Sequence, residues 1–175
     1  MENTTVNQQS NYSIVRTFAG FWWRFLALII DGIILSVIEG IFILPLMGFY
    51  GLSLSNMADF DEMNDEQIPF LIAAAGSIAA IALISIGISW LYYALFESSK
   101  YQATPGKLML NIKVTDLEGN KIGFGRATGR FFGKIVSEMI FYIGFIMAGF
   151  TSKKQALHDM MAGCLVVKED KVFKG

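Results

Sequence analysis

Two long apolar stretches dominate the chain and predict membrane-spanning helices. The first covers about residues 21–49 and the second about residues 69–96. Because about 20 apolar residues suffice to cross a bilayer as a helix, each stretch is long enough. The second contains no charged residue and ends with Trp90, Tyr92 and Tyr93, residue types that favour the membrane–water interface. We therefore expect at least two spans.

A third apolar segment, residues 131–150, is interrupted by Lys134 and Glu138. Counted as a whole it could just cross a bilayer, but the charge-free part after Glu138 is too short for an ordinary span. If this segment crosses, the C-terminal lysines lie outside, against the usual bias of Lys and Arg toward the cytoplasm. We therefore favour a re-entrant or interfacial segment over a third span.

Between the second and third apolar segments, alternating residues predict a β-hairpin. Apolar residues recur at every second position from Leu108 to Val114, which is the period of a strand. Residues 116–120 have the composition of a turn, and apolar residues alternate again after it. The apolar residues 164–167 predict one further short strand.

Together these elements predict an all-α membrane protein with a small cytoplasmic β-hairpin element. The fold contains two to three, at most four, transmembrane or re-entrant helices. Residues 1–18 are polar and predict a flexible tail. Residues 19–168 form the predicted membrane domain, and residues 169–175 form a basic C-terminal tail.

The composition agrees with a membrane protein and excludes several other classes. Hydrophobic residues make up 54% of the chain and charged residues 17%, against about 25% charged residues in a soluble domain. The net charge of −1 gives no global field for a nucleic-acid partner. Cys164 and His158 are the only residues of their types, so no internal disulfide and no His/Cys metal site can form. We expect no cofactor and no metal.

The distribution of basic residues predicts the orientation. The loop over residues 51–67 is acidic and has no Lys or Arg, whereas residues 97–130 are basic. Because Lys and Arg concentrate in cytoplasmic segments, residues 97–130 are expected in the cytoplasm and the loop outside. The N-terminus is then cytoplasmic as well.

Charged residues within the first apolar stretch are the main functional candidates. Arg24 and Asp31 are seven residues apart, which brings them nearly to one face of a helix. An aspartate at the centre of a membrane helix costs about 2.5–3.5 kcal/mol on insertion scales, so it needs a partner or a function. Asp31 either binds an ion or proton or anchors the helices, and Glu39 has the same two interpretations. Arg24 either belongs to that site or reaches toward the lipid headgroups.

A His-Asp pair, His158 and Asp159, follows two lysines near the C-terminus. Adjacent helical residues do not face each other, and no motif supplies a nucleophile, so a catalytic triad has no support. Asp159 is expected to bond backbone N–H groups or an arginine in a polar cap. An intramembrane hydrolase would need a second carboxylate facing Asp31, such as Asp159, and we expect no enzyme.

The order and spacing of these residues resemble the RDD family of bacterial membrane proteins. The family is named for one arginine and two aspartates, which match Arg24, Asp31 and Asp159. A Thr-x-Gly-Lys element followed by a strand-like stretch matches residues 104–114, and Gly-Phe-Gly-Arg-Ala at residues 123–127 looks like the next element. The resemblance covers about residues 16–168.

The resemblance departs from the family pattern at one position, since Cys164 stands where the family usually has threonine after Ala-Gly. It implies a multi-pass protein of the bacterial cytoplasmic (inner) membrane. It also implies transport, which has been suggested for the family because charged residues lie in its membrane helices.

Two functions are therefore expected. In the first, the protein transports an ion or small solute with a charge site of Arg24, Asp31 and Asp159, extended by Glu39 and His158. One subunit has few helices, so this function requires an oligomer. In the second, it is a non-enzymatic accessory protein that binds and regulates another membrane protein, and the charged residues hold the fold together.

Overall fold

The computed structural model describes residues 12–55, 68–140 and 143–173. The helices and strands, in chain order, are β1 (Tyr12–Phe18), α1 (Phe21–Ser55), α2 (Ile68–Ser98), α3 (Pro105–Met109), β2 (Ile112–Asp116), α4 (Phe124–Met139), α5 (Ile143–Ile146), α6 (Leu157–Met161) and β3 (Cys164–Phe173). A short 3-10 helix, Met147–Gly149, follows α5.

Helices α1 and α2 contain the two apolar stretches and confirm the two predicted spans. Their continuous apolar parts cover Phe21–Gly48 and Ile72–Ser98, each long enough to cross a bilayer. Large apolar side chains along both helices are more than half exposed, for example Ile41 and Leu83. Such exposure is normal where the surrounding medium is hydrocarbon, and it leaves these faces available to lipid.

A three-stranded antiparallel sheet joins three distant parts of the chain. The strand order is β1-β3-β2, so the C-terminal strand lies in the middle. Phe18 is paired with Val167 on one side of β3, and Val114 is paired with Val166 on the other. The side chains of Ile112, Val114 and Val166 are fully buried, which explains why these β-branched residues form strands.

The predicted hairpin is only partly present. Leu108 and Met109, where the strand is predicted to begin, form the end of the short helix α3, because Pro105 occupies the first helical position and Leu108 N–H donates to the Thr104 carbonyl oxygen. The turn over residues 116–120 is present, with the Asp116 carboxylate accepting two backbone N–H groups. The second strand of the predicted hairpin is reduced to one isolated β-bridge between Thr115 and Lys121. Strand β2 pairs with β3 instead.

The two predicted tails differ from the structure. Tyr12–Phe18 form β1, and β3 continues to Phe173, because each supplies a partner for the other along the full length of β1. The remaining parts of the predicted tails, residues 1–11 and 174–175, lie outside the described residues. So does most of the acidic loop, residues 56–67. The short strand predicted over residues 164–167 is present as the start of β3.

The sheet also restricts the path of the third apolar segment. Strand β3 is hydrogen-bonded to β1 on one edge and to β2 on the other, so the three strands form one sheet. Because an exposed sheet edge is not stable within hydrocarbon, the whole sheet lies on one side of the membrane. We call this the sheet side. Helices α4 and α5, which connect β2 to β3, therefore leave and return on the sheet side. This arrangement favours the re-entrant or interfacial topology for residues 131–150.

Two apolar clusters hold the elements together, and one of them connects the sheet to the helices. One contains the buried face of the sheet together with Ala27 of α1, Ala94 of α2 and Ala127 of α4. The other joins α1, α2 and α4 through Leu35, Tyr93 and Phe131, among others. Helix α4 packs against α2 and α6, and the side chains that it buries there include Arg130 and Lys134.

Because β2 and β3 belong to one sheet, we predict that residues before α4 and residues after α5 are accessible from the same side of the membrane. In a Cys164→Ala background, we expect Glu118→Cys and Lys153→Cys, both at exposed positions, to react with a membrane-impermeant maleimide from the same side of sealed vesicles. A cysteine at Gly51, near the far end of α1, should react only from the other side. Labelling of the 118 and 153 positions from opposite sides would contradict the topology.

Candidate functional site

Buried charged groups gather where α1 begins and α2 ends. Since α1 and α2 run in opposite directions, Arg24 and Asp31 near the start of α1 lie close to Glu97 at the end of α2. Helices α3, α4 and α6 cover this region from the sheet side and contribute Lys107, Arg130, Lys134, His158 and Asp159. All of them except Arg24 are buried, and the Arg24 side chain is 13% exposed.

Asp31 holds the start of α3 against α1. Its Oδ2 accepts a hydrogen bond from the Thr104 hydroxyl at 2.5 Å, and its Oδ1 accepts one from the Gly106 N–H at 2.8 Å. The Tyr92 hydroxyl donates a third, to Oδ1 at 2.9 Å. The carboxylate is therefore surrounded by neutral donors. This geometry favours the anchoring interpretation of Asp31, and its ion-binding role stays a prediction.

Gly106 permits this close approach. A Cβ atom at residue 106 would lie 2.6 Å from the Ala27 carbonyl oxygen and 2.8 Å from Oδ1 of Asp31. The Ala27 oxygen belongs to the backbone and the Asp31 carboxylate is held by hydrogen bonds, so the two helices would have to separate. The Thr-x-Gly-Lys element therefore has a structural basis: the threonine and the glycine both bind Asp31.

Asp159 binds the two arginines of the site. Its Oδ1 accepts a hydrogen bond from Nε of Arg130 at 2.8 Å, and its Oδ2 is bonded by Nη1 of Arg24. Oδ2 also accepts the Ala156 N–H at 3.1 Å, which caps α6. Arg24 in turn donates to the carbonyl oxygens of Ala19 and Lys154. The structure thus brings together Arg24 and Asp159, two of the three residues predicted as a charge site.

Glu97 is the second buried carboxylate, and three cations converge on its Oε1. Nη1 of Arg130 lies 2.6 Å away, and Nζ of Lys107 is in direct contact with it. Nζ of Lys134 is more distant, at 3.9 Å. Arg130 therefore bridges Glu97 and Asp159, and the ion pairs form one continuous chain from Arg24 to Lys107.

Burial and pairing shift the titration of the groups outside the spans. Burial alone would raise the pKa of Asp159, but Arg130 and Arg24 outweigh it and hold this pKa well below its usual range. Burial lowers the pKa of Lys107, and Glu97 opposes this shift. Burial also lowers the pKa of His158 well below its usual value, so its imidazole is neutral at pH 7.

A cavity of about 280 Å³ lies beside these groups. The residues around it include the charged Arg24, Asp31, Lys107, Arg130 and Lys134, but the surface that faces the cavity is almost entirely apolar. Phe21, Phe25 and Leu28 of α1 and Ile146 of α5 form part of this apolar surface. The volume is slightly below the range for ligand pockets, about 300–1,000 Å³.

Glu39 and His158, the two secondary candidates, and Cys164 each have different neighbours. Glu39 lies further along α1 and accepts a hydrogen bond from the Ser89 hydroxyl at 3.1 Å. His158 lines the cavity and lies 3.4 Å from the Ser137 hydroxyl. Cys164 is buried, and this burial raises the pKa of its thiol to about 11, so the thiol is protonated at pH 7. No group of three or more His, Cys, Asp or Glu side chains able to hold a metal occurs within the described ranges.

The sequence analysis does not assign four further residues to the site, namely Glu97, Lys107, Arg130 and Lys134, although Lys107 belongs to the Thr-x-Gly-Lys element. The local pattern indicates a basic surface segment over residues 97–130 and an interrupted apolar segment at Lys134. One signal is present: Arg130 and Lys134 are four residues apart and so lie on one face of a helix. Their shared carboxylate, Glu97, comes from a distant helix and has no local signal.

Residues 18–163 match the sequence profile of the RDD family, and this range includes the whole charge cluster. The chain belongs to the RDD family. Two of its relatives are proteins of Bacillus subtilis (strain 168). Uncharacterized protein YxaI is 40% identical over 149 residues, which cover 85% of this chain and 96% of the relative. Uncharacterized membrane protein YteJ is 24% identical over 163 residues, which cover 89% of this chain and 84% of the relative.

No solved structure matches this RDD chain significantly. The family match and the two apolar helices together establish a membrane protein. The three residues that we match to the family's arginine and two aspartates, Arg24, Asp31 and Asp159, lie in one cluster of charged groups. They act on different partners: Asp31 holds α3, whereas Arg24 and Asp159 bind each other.

Replacing Gly106 tests the close approach of α3 to α1. We expect Gly106→Ala to lower the free energy of unfolding by about 1–3 kcal/mol, because the added Cβ has no space. Gly87→Ala is the matched control, since no atom lies within 4 Å of a Cβ there and alanine favours a helix. Thermal unfolding in mild detergent measures both. Equal midpoints for the two variants would contradict the packing.

Replacing Asp159 tests the arginine pairs. We expect Asp159→Asn to cost about 3–5 kcal/mol of stability at pH 7, because Arg24 and Arg130 then share a neutral amide. Asp170→Asn is the control, since this residue makes an exposed pair with Lys168 worth at most about 1 kcal/mol.

The same variant should change the acid sensitivity. Folding lowers the pKa of Asp159, so its stabilisation is complete above the unfolded value of about 4 and is lost as the pH falls below it. The difference in unfolding midpoint between wild type and Asp159→Asn should therefore shrink on titration from pH 6 to pH 3. A constant difference would contradict the pairing of an ionised Asp159.

Proposed function

We propose that the protein is a subunit of an oligomeric transporter for an ion or small solute. The observation that carries this proposal is the cluster of buried charged groups where α1 begins and α2 ends, which lies beside an apolar cavity. Ionisable groups within membrane segments are costly and usually belong to a substrate or ion pathway. Two spans and one bent segment are too few to enclose a pathway, so several copies, or another membrane protein, would complete it.

The proposed location is the bacterial cytoplasmic membrane with the sheet side in the cytoplasm. The bacterial source of YxaI and YteJ supports this membrane. The basic residues of the segment between α2 and α4, including Lys100 and Lys113, support the orientation because they lie on the sheet side. The N-terminus is then cytoplasmic. The proposed activity involves no chemical conversion, and the protein is not proposed as an enzyme.

The geometry assigns different roles within this proposal. Arg24 and Asp159 fix the relative positions of α1, α4 and α6 and set the field at the cavity. Asp31 maintains the position of Lys107 by holding the turn that precedes it. Lys134 is the cavity cation with the fewest contacts of its own, and we propose it as the group that senses the solute.

Transport is tested with purified protein in sealed proteoliposomes. We expect flux of at least one of protons, sodium, potassium or phosphate above that of protein-free vesicles, with a reduction of about tenfold in Lys134→Gln. Lys100→Gln is the matched control, because Lys100 is exposed on the same side and away from the cavity. Native mass spectrometry should show more than one subunit.

The mutual pairing of Arg24, Asp159, Arg130 and Glu97 favours a second candidate function. Charges that satisfy one another also suit an accessory protein, in which they only stabilise the fold. Absence of flux for all four ions, together with a stoichiometric complex with one other membrane protein, would replace the transporter proposal with this one.

A further inference from the structure

A groove of about 650 Å³ lies where α1 enters the membrane on the sheet side. It is formed by the end of β1, the first turn of α1, the segment that follows α5 and part of β3. Trp22 and Phe150 belong to its wall and are 74% and 86% exposed. Because tryptophan favours the membrane–water interface, the groove lies at the depth of the lipid headgroups.

Lys154 is the cation of this groove that has no anionic partner within the described ranges. Its side chain is exposed and its Nζ forms no ion pair there. Its Cδ and Nζ lie 3.6 Å from the position that a Cβ atom of residue 20 would take, so the side chain extends along the groove wall. Lys168, the second lysine of the wall, pairs with Asp170 at 2.8 Å and lies over the Trp23 ring. The Asp170 carboxylate is thus compensated, and Lys154 contributes an uncompensated positive charge.

The backbone of Lys154 has a conformation that lysine rarely adopts. Its φ is 48°, in the left-handed region that glycine and asparagine occupy at lower cost. The Lys154 carbonyl oxygen accepts a hydrogen bond from Nη2 of Arg24 at 2.6 Å, which holds this backbone in place. A lysine kept in an unfavourable conformation beside a groove indicates that its side chain has a function other than stabilising the turn.

The groove lies next to the apolar cavity, since Phe21 and Ile146 line both of them. Phe25 and Leu28 line only the cavity, are partly exposed, and belong to the part of α1 that crosses the membrane. This part of the cavity therefore faces hydrocarbon. A space with such an apolar surface does not hold ordered water and suits an acyl chain.

We propose that the groove and the cavity together bind one anionic phospholipid. Nζ of Lys154 contacts the phosphate, because lysine is a common phosphate binder and lysines beside a membrane attract anionic lipids. Trp22 and Trp23 flank the headgroup. One acyl chain enters the cavity beside Phe25 and Leu28. This site is independent of the proposed transport, since a transporter and an accessory protein could both contain it.

The combination of the two spaces favours a lipid over a soluble anion. A single exposed lysine is a weak site for an anion in water, because solvent and salt screen its charge. A lipid also transfers apolar surface into the cavity, and it is already confined to the membrane at the depth of Lys154. A soluble headgroup compound is therefore the contrasting ligand in the test.

Binding is measured on the full chain in neutral detergent after removal of co-purified lipid. Phosphatidylglycerol is added in mixed micelles, with phosphatidylcholine and soluble glycerol phosphate in parallel series at matched ionic strength. The unfolding midpoint is followed in each series, and native mass spectrometry counts the bound lipid. We expect a saturable rise of the midpoint with one phosphatidylglycerol per chain, and no such rise in the other two series.

The headgroup contact is tested at Lys154. Lys154→Asn removes the charge and suits the left-handed backbone, so its ligand-free midpoint should be at least that of wild type. Its half-saturating phosphatidylglycerol concentration should rise about tenfold, because a charge-assisted contact is lost. Lys154→Arg should stay within a few-fold of wild type. Lys153→Asn makes the same change at an exposed lysine that does not line the groove, and should stay within about twofold.

The acyl-chain contact is tested at Leu28. Leu28→Trp places a larger side chain at the cavity and should weaken phosphatidylglycerol binding several-fold. Leu26→Trp is the matched control, because Leu26 is 43% exposed against 42% for Leu28 but does not line the cavity. The ligand-free midpoint of each variant reports whether it is folded.

Several outcomes would overturn the inference. One is an equal response of the wild type to phosphatidylglycerol and to either contrasting ligand. Another is an equal half-saturating concentration in Lys154→Asn and Lys153→Asn, or in Leu28→Trp and Leu26→Trp. A clear loss of ligand-free stability in Lys154→Asn would assign Lys154 to the fold and would also contradict the proposal. Flux measurements do not enter this test, so transport and lipid binding can fail separately.

Discussion

A continuous chain of buried ion pairs connects the ends of both spanning helices to the elements on the sheet side. It runs from Arg24 through Asp159 and Arg130 to Glu97 and Lys107. Transfer of each of these charges from water is unfavourable, so each is stable only while its partners remain in place. The positions of α1, α2, α3, α4 and α6 therefore depend on one another. The cavity exists because these elements are held together at its edge.

Much of the architecture could be predicted because hydrocarbon imposes simple requirements. The parts of α1 and α2 that cross the membrane had to be predominantly apolar, and their approximate boundaries are visible in the sequence. The strand over residues 164–167 is also visible, since adjacent apolar β-branched residues recur there. The charged residues of the first span stand out as candidates because burial of Arg24 and Asp31 needs a reason.

The partners of these charges could not be predicted, because they come from distant segments. Lys107 and Arg130 belong to a stretch that looks like a basic surface, and only the presence of Glu97 makes their burial possible. At Leu108 and Met109, the last two residues of α3, the alternation of apolar residues wrongly predicts a strand. Its conformation is decided by Pro105 and by the hydrogen bonds of Thr104 and Gly106 to Asp31, which no local pattern reveals.

The central place of β3 in the sheet has a consequence for biosynthesis. Strands β1 and β2 do not pair with each other, so neither has its partner strand in the sheet until β3, which follows both in the chain, leaves the ribosome. Asp159 emerges equally late, long after α1 has been made. During translation Arg24 is therefore near the membrane without its carboxylate, and the nascent chain exposes two unpaired strands. Assembly on the sheet side is a late, non-local step, and loss of the C-terminal strand would leave the earlier segments in this immature state.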